Sequence, residues 1–194
     1  MIRNIWAIGR NYADHAKELG NSVPSTPMVF LKAGSTAVFS SEIQLPSWAQ
    51  DVHHEVELAL IFNEALEVER ACLALDLTER KKQTEAKNAG SPWTLAKSFT
   101  SSCPLSAPFE VSHLDELSAL ALELKINGEV KQAGNTQDMI FKIPTLIDYV
   151  KSHFPVCAGD LLLTGTPSGV GPIQRGDFIE AQIFGKTSHR WIVK

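Results

Sequence analysis

His53-His54-Glu55-Val56-Glu57-Leu58-Ala59-Leu60-Ile61-Phe62 alternates acidic and apolar residues from Glu55 onward and then becomes an apolar run. That pattern reads as a β-strand entering a core. Residues two apart on a strand share a face, so Glu55 and Glu57 point one way and Val56 the other. Like charges held that close repel. Such a pair persists either on a half-solvated edge strand, where both carboxylates meet water, or beside a cation that both can share.

The flanking sequence supplies more short strands and a few short helices. Ile5-Trp6-Ala7-Ile8-Gly9 reads as an apolar strand, and Ala13 to Leu19 as a brief helix stopped by Gly20-Asn21. Met28-Val29-Phe30-Leu31-Lys32 is a strand ending on a lysine. Glu79 to about Asn88 has a polar helical pattern closed by Gly90 and Pro92. Ala119 to Ile126 alternates, Asn127-Gly128 marks a tight hairpin turn, and Glu129 to Gln132 returns as the partner strand. Thr145 to Val150 has helical spacing, whereas Leu161 to Leu163 and Phe178 to Ile183 read as strands. The pattern predicts a β-rich α+β domain with a curled or sandwiched sheet.

A chain of 194 residues with 44% hydrophobic and 21% charged residues suits one globular domain spanning 1–194. A net charge of −4 offers no basic face for nucleic acid and no polybasic patch for a membrane. Three scattered cysteines, Cys72, Cys103 and Cys157, describe neither a disulfide framework nor a zinc site. With no membrane-length apolar run and no secretory signal, the expectation is a soluble protein of the cytoplasm.

Several segments, in order along nearly the whole chain, resemble the fumarylacetoacetate hydrolase family, in particular its small acylpyruvate-hydrolase-like branch. They are Gly9-Arg10-Asn11-Tyr12-Ala13-Asp14-His15, Phe30-Leu31-Lys32, His54-Glu55-Val56-Glu57-Leu58, Leu75-Asp76-Leu77-Thr78, Pro92-Trp93-Thr94-Leu95-Ala96-Lys97-Ser98-Phe99, Asn127-Gly128-Glu129, Met139-Ile140-Phe141 and Gly159-Asp160 through Gly171-Pro172. The resemblance implies that family's fold, a curled mixed sheet or β-roll with short peripheral helices, and a homodimer. It also implies a Mg²⁺ or Mn²⁺ site made by Glu55, Glu57 and Asp76, whose hard oxygens suit such an ion and leave positions for a chelating keto acid. Taken alone, Asp76 could equally cap a helix ahead of Leu77-Thr78.

His15 and Glu18, three apart on a helix, are neighbours, and a carboxylate beside an imidazole raises its basicity. The resemblance makes residues 13–19 a lid carrying this pair. Lys32 and Lys97 sit in apolar segments, which suits an ammonium that reaches a charged partner. By resemblance both face a ligand, Lys97 stabilising a developing enolate. Thr166 is expected to hold the substrate carboxylate, and Arg10 its distal end. The glycine-rich run after Thr164 lacks the Gly-Lys-Ser/Thr ending of a nucleotide loop.

Two departures from the family pattern stand out. Only Asn63 to Leu75 separates the acidic strand from Asp76, about ten residues fewer than the helix-bearing family segment. Lys81 stands where the family has an acid, removing a partner for Arg80. The function implied first is hydrolysis of the C–C bond of an acylpyruvate, a 2,4-diketo acid, through a metal-bound pyruvate enolate. The same enolate chemistry serves oxaloacetate decarboxylation, oxaloacetate keto–enol tautomerisation and isomerisation of a 2-hydroxy-diene-dioate. A silent metal- and keto-acid-binding homologue is the alternative from another class.

Overall fold

A computed structural model describes residues 2–18, 20 and 22–194. The N-terminal part runs β1 (Asn4–Gly9), α1 (Ala13–Glu18), β2 (Met28–Ala33), β3 (Ala37–Val38), β4 (Glu42–Ile43), β5 (Val52–His54) and β6 (Val56–Phe62). The middle holds β7 (Val68–Leu75), β8 (Thr78–Glu79), α2 (Arg80–Ala89), α3 (Thr94–Lys97), β9 (Cys103–Pro104) and β10 (Phe109–Glu110). The rest comprises β11 (Ala121–Ile126), β12 (Glu129–Asn135), α4 (Ile143–His153), β13 (Leu161–Leu163), β14 (Gly171–Pro172), β15 (Phe178–Ile183) and β16 (Thr187–Val193). A six-stranded sheet has the order β10-β7-β6-β13-β1-β2, and a five-stranded sheet the order β12-β11-β15-β16-β4. Both are mixed, with β1 parallel to β13 and β16 parallel to β4. The β-rich α+β architecture expected from the sequence is the one observed.

The acidic strand is central to the six-stranded sheet and buried along its whole length. On one face, Val56, Leu58, Leu60 and Phe62 enter the larger core with Leu122 and Leu124 of β11, Ile179 of β15 and Trp191 of β16. On the other, Ala59 and Ile61 join Ile5, Ala7, Leu161 and Leu163 in a second core. Glu57 shares the face of Ala59 and Ile61 by alternation, which places a carboxylate at the margin of an apolar layer.

The short segment before Asp76 forms no helix. Residues 63–67 make a turn in which Asn63 Oδ1 accepts the N–H groups of Ala65 and Glu67, both at 2.9 Å. The chain then returns as β7, a strand whose apolar half (Ala71 to Leu75) is too brief to separate from a buried helix by pattern. Nor does Asp76 cap a helix. It lies between β7 and β8, and the cap of α2 is Glu79, whose Oε2 accepts the Lys82 N–H at 2.6 Å. The expected helix 13–19 is present as α1, but Leu19 and Asn21 lie outside the described residues. β16 was not legible in advance because its polar Ser188, His189 and Arg190 interrupt the apolar pattern. Among the described residues the three cysteines are free, and no helix is long and apolar enough to cross a membrane.

Candidate active site

The hairpin register assembles three acids. Val56 lies opposite Leu75 and Glu57 opposite Ala74, so Asp76, just beyond β7, falls beside Glu55. The Asp76 N–H donates to the Glu55 carbonyl at 2.8 Å. One carboxylate oxygen from each of Glu55, Glu57 and Asp76 lies within 4.8 Å of the other two. All three residues are buried, at 5%, 1% and 1% exposure.

Three cations neutralise two of these acids. Lys97 Nζ donates to Glu55 Oε2 at 2.9 Å and to Asp76 Oδ2 at 2.6 Å. Arg80 Nη2 donates to Glu55 Oε1 at 2.5 Å, and its Nη1 donates to Gln83 Oε1 at 2.8 Å. Its buried Nε has no partner among the described residues, which fits the lysine at position 81. Lys32 is fully buried and donates to Asp76 Oδ1 (2.6 Å) and to the carbonyls of Ser102 (2.8 Å) and Leu77 (3.3 Å). An ammonium has three donors, and all three are taken. Lys32 therefore sits behind Asp76, where it holds the acid, rather than against a ligand as expected.

Glu57 is different. Its Oε2 accepts the Gly165 N–H at 2.6 Å, and no lysine or arginine pairs with it among the described residues. Burial, then the charges of Asp76 and Glu55, push its pKa well above the usual 4.5. Burial pushes Glu55 up too, but the charges of Lys97, Arg80 and His15 outweigh it and hold Glu55 well below that value. Burial disfavours the Lys97 ammonium, yet the Asp76 and Glu55 carboxylates raise its pKa. Three converging oxygen donors, one of them without a counter-charge, fit a hard divalent cation. Glu55, Glu57 and Asp76 could hold it.

Thr166 follows β13 on the loop above Glu57. Its hydroxyl donates to the Val56 carbonyl and accepts from Gln132 Nε2, both at 2.8 Å. The side chain expected to bind substrate is thus engaged, and the Thr166 N–H, which makes no bond among the described residues, is the donor left to the loop. On α1, His15 Nδ1 lies 3.2 Å from Glu18 Oε2, and Glu18 Oε1 accepts the Gly169 N–H at 3.1 Å. The pair is therefore latched to the same loop, with His15 buried. Arg10 follows β1 with a left-handed backbone (φ 58°), a conformation that costs a non-glycine residue energy and clusters at functional sites. Partial burial and then the charges of Arg10, Arg80 and Lys97 lower the pKa of Lys87.

Of the nine expected residues, Glu55, Glu57 and Asp76 converge, Lys97 and Lys32 bond to them, and Glu18, beside His15, bonds to the loop that carries Thr166; Arg10 bonds to none of the others among the described residues. Sequence reasoning missed Gln83 and Gln132, both buried amides. Gln83 was findable as a neighbour of Arg80 at i,i+3 on a helix. Gln132 lies on the other sheet, and no local signal announces its reach.

A sheet-built fold with a buried carboxylate triad that could hold a divalent metal, beside a short helix, defines a class of proteins, and comparison with known proteins identifies which. The family model described as fumarylacetoacetate (FAA) hydrolase C-terminal matches residues 4–193. The chain belongs to that family. It is 46% identical over 203 residues to the mitochondrial oxaloacetate tautomerase FAHD1 of Mus musculus, covering 99% of this chain and 92% of the relative. It is 42% identical over 195 residues to a mitochondrial oxaloacetate decarboxylase of Dictyostelium discoideum, covering 94% and 89%. Among solved structures it resembles a fumarylpyruvate hydrolase from Pseudomonas aeruginosa in complex with Mn²⁺ and pyruvate, with a TM-score of 0.92 and 28% identity over 99% of this chain and 89% of the other. The 203-residue alignment with the mouse protein is longer than this 194-residue chain, so the relative carries residues with no counterpart here.

Proposed function

We propose that this chain is a divalent-metal-dependent enzyme acting on oxaloacetate, interconverting its keto and enol forms, with residues 1–194 as one catalytic domain. The observation that carries the reading is the buried triad: Glu55 and Asp76 bridged by Lys97, beside a Glu57 with no cation of its own. The names of the relatives move the weight from acylpyruvate hydrolysis, first in the sequence reading, to the oxaloacetate alternative. A Mg²⁺ or Mn²⁺ ion held by Glu55, Glu57 and Asp76 would supply Lewis-acid polarisation of a 2-keto carbonyl.

The protein's own groups do the rest. The Glu18 carboxylate keeps the proton on His15 Nδ1, leaving Nε2 as the base. That nitrogen takes a proton from C3 of the keto acid, the C–H pair becomes the C2=C3 double bond, and the carbonyl pair moves to oxygen. Lys97 places positive charge against the developing enolate. The imidazolium returns its proton to the enolate oxygen, giving the enol. The Thr166 N–H and Arg10 hold the two carboxylates, and Lys32 keeps Asp76 in place.

With Mg²⁺, purified protein is expected to speed the decay of enol absorbance in fresh oxaloacetate, and EDTA to abolish the effect. Decay at the uncatalysed rate, with either Mg²⁺ or Mn²⁺, sinks the proposal. Pyruvate formation in the same cuvette measures the decarboxylase branch. The second reading, acylpyruvate hydrolysis, is favoured by the His15–Glu18 pair, which equally suits water activation, and acetylpyruvate cleavage tests it. A silent metal- and keto-acid-binding homologue, suggested by the short segment before Asp76, would keep the same triad, and metal-dependent oxalate binding without turnover of either substrate would favour it. Cytoplasmic location and a homodimer belong to the same proposal; a single monomeric species on sizing would remove the second.

A further inference from the structure

We infer that Gln132 is a positioning residue, whose amide ties the Thr166 loop to the strand junction carrying Glu55 and Glu57 and so sets the affinity for the substrate carboxylate. The inference rests on the reading of the site given above. Gln132 belongs to β12 at the edge of the five-stranded sheet, yet it is 1% exposed and reaches the heart of the other sheet's active end.

Backbone partners decide which way the amide faces. A Val56 N–H can only donate, so the atom 3.0 Å from it is Oε1. The Pro167 carbonyl can only accept, so the atom 2.9 Å from it is Nε2. Two assignments follow. His54 Nδ1, 2.8 Å from Oε1, carries its proton. Thr166 Oγ1, 2.8 Å from Nε2, accepts there and spends its own proton on the Val56 carbonyl, also 2.8 Å away. The hydrogen bonds form a closed circuit that begins and ends on Val56, the residue between the two glutamates. All four of the amide's bonding positions face partners in the site's supporting frame.

The strand under the loop is shaped for the same seat. A Cβ on Gly134 would come within 2.5 Å of Pro167 Cβ, and one on Gly169 within 2.1 Å of the Lys131 carbonyl oxygen. Residues 131–134 therefore carry the 166–169 loop by direct contact, and the Thr166 N–H points wherever that seat puts it. Glu18 then reads the position of the loop through the Gly169 N–H. A residue that served only the fold would change melting temperature when altered and leave ligand affinity alone.

The test is Gln132→Glu, which keeps an acceptor for Val56 and His54 but removes the donors to Thr166 and Pro167. Oxalate binding to Mn²⁺-loaded protein is measured by calorimetry, alongside Mn²⁺ affinity and the steady-state constants for oxaloacetate. Oxalate Kd and KM are expected to rise about tenfold, with kcat changed less than about threefold, the size of one lost hydrogen bond to a charged group. Gly134→Ala displaces the loop from beneath without touching the amide, and is expected to weaken oxalate in the same direction. It guards against a Gln132→Glu chain that fails to fold. Unchanged oxalate affinity in both folded variants overturns the inference and leaves the proposed reaction standing. Wild-type protein that binds oxalate but does not turn over oxaloacetate removes the reaction, while the binding arm still decides the role of Gln132.

Discussion

Two of the places where the protein buries carboxylates treat them in opposite ways. Asp160, before β13, is completely buried, and among the described residues no lysine, arginine or histidine forms an ion pair with it. Its Oδ1 accepts from the Asn4 backbone N–H (3.1 Å), the Asn4 amide (2.9 Å) and the Cys157 thiol (3.3 Å). Its Oδ2 accepts from Trp6 Nε1 (2.8 Å) and the Cys157 N–H (3.1 Å). Every lone pair has a neutral donor, so the charge is spread over a finished network that joins β1 to the start of β13. At the triad, three carboxylates crowd together, two are held by charged side chains, and Glu57 has a single N–H. One arrangement leaves nothing for a ligand to do. The other leaves one carboxylate, Glu57, with no cation of its own among the described residues, and that is where a divalent ion would gain its affinity.

The largest expected effect comes from breaking the finished site. Asp160→Ala strands buried donors on Trp6, Asn4 and Cys157, which should cost about 4 kcal/mol of stability. Denaturant unfolding measures it, and activity per folded molecule should survive. A loss below about 1 kcal/mol would mean that water replaces the carboxylate and that the two sites are less different than their bonding suggests.

Glu57→Gln does the reverse. An amide removes the charge that burial and the neighbouring Asp76 and Glu55 disfavour, so the metal-free variant should be at least as stable as the parent. Divalent-ion affinity should fall about 100-fold or more, at the upper end of losses seen for groups that merely support a ligand. Mn²⁺ titration followed by calorimetry gives the number. Should the variant bind Mn²⁺ as tightly as the parent, Glu57 is no ligand and the contrast with Asp160 collapses.

The two sites were unequally legible in the sequence. The Glu55–Glu57 spacing on a strand was readable because period-two alternation is local. His15 and Glu18 were readable for the same reason at helical spacing. Asp76 required the family pattern, since only the β6–β7 register, set by a turn at 63–67, brings it beside Glu55. The expected site role of Lys32 was half right. An ammonium in an apolar strand does need an anion, but the partner is Asp76, not a ligand. Thr166 and Gln132 illustrate what a linear reading lacks: which hydrogen bonds a side chain has already made once two sheets have packed. Asp160 gave no functional signal either, because an acid satisfied by backbone, amide, indole and thiol donors looks in sequence like any other acid.

The smallest effect is a pH dependence, and its sign separates the sites further. Glu57 has a folded pKa raised by burial and by its neighbours Asp76 and Glu55, so its contribution to stability is complete below its ordinary value near 4.5 and is lost as pH rises through the raised folded value. For Glu55 burial is overcome by Lys97, Arg80 and His15; its folded pKa is lowered, so its contribution is present above 4.5 and lost as pH falls through the folded value. Metal-free protein should therefore be most stable on the mildly acidic side and lose about 3 °C in melting temperature toward alkaline pH, the scale of ~1 kcal/mol in a chain this size. Saturating Mg²⁺ should flatten that decline, because an ion held by the triad would favour the ionised form of Glu57. Melting curves from pH 5 to 8, with and without Mg²⁺, read this directly. A metal-free melting temperature that climbs steadily to pH 8 would mean that the charge on Glu57 is already compensated, and the triad would then be as complete without an ion as Asp160 is.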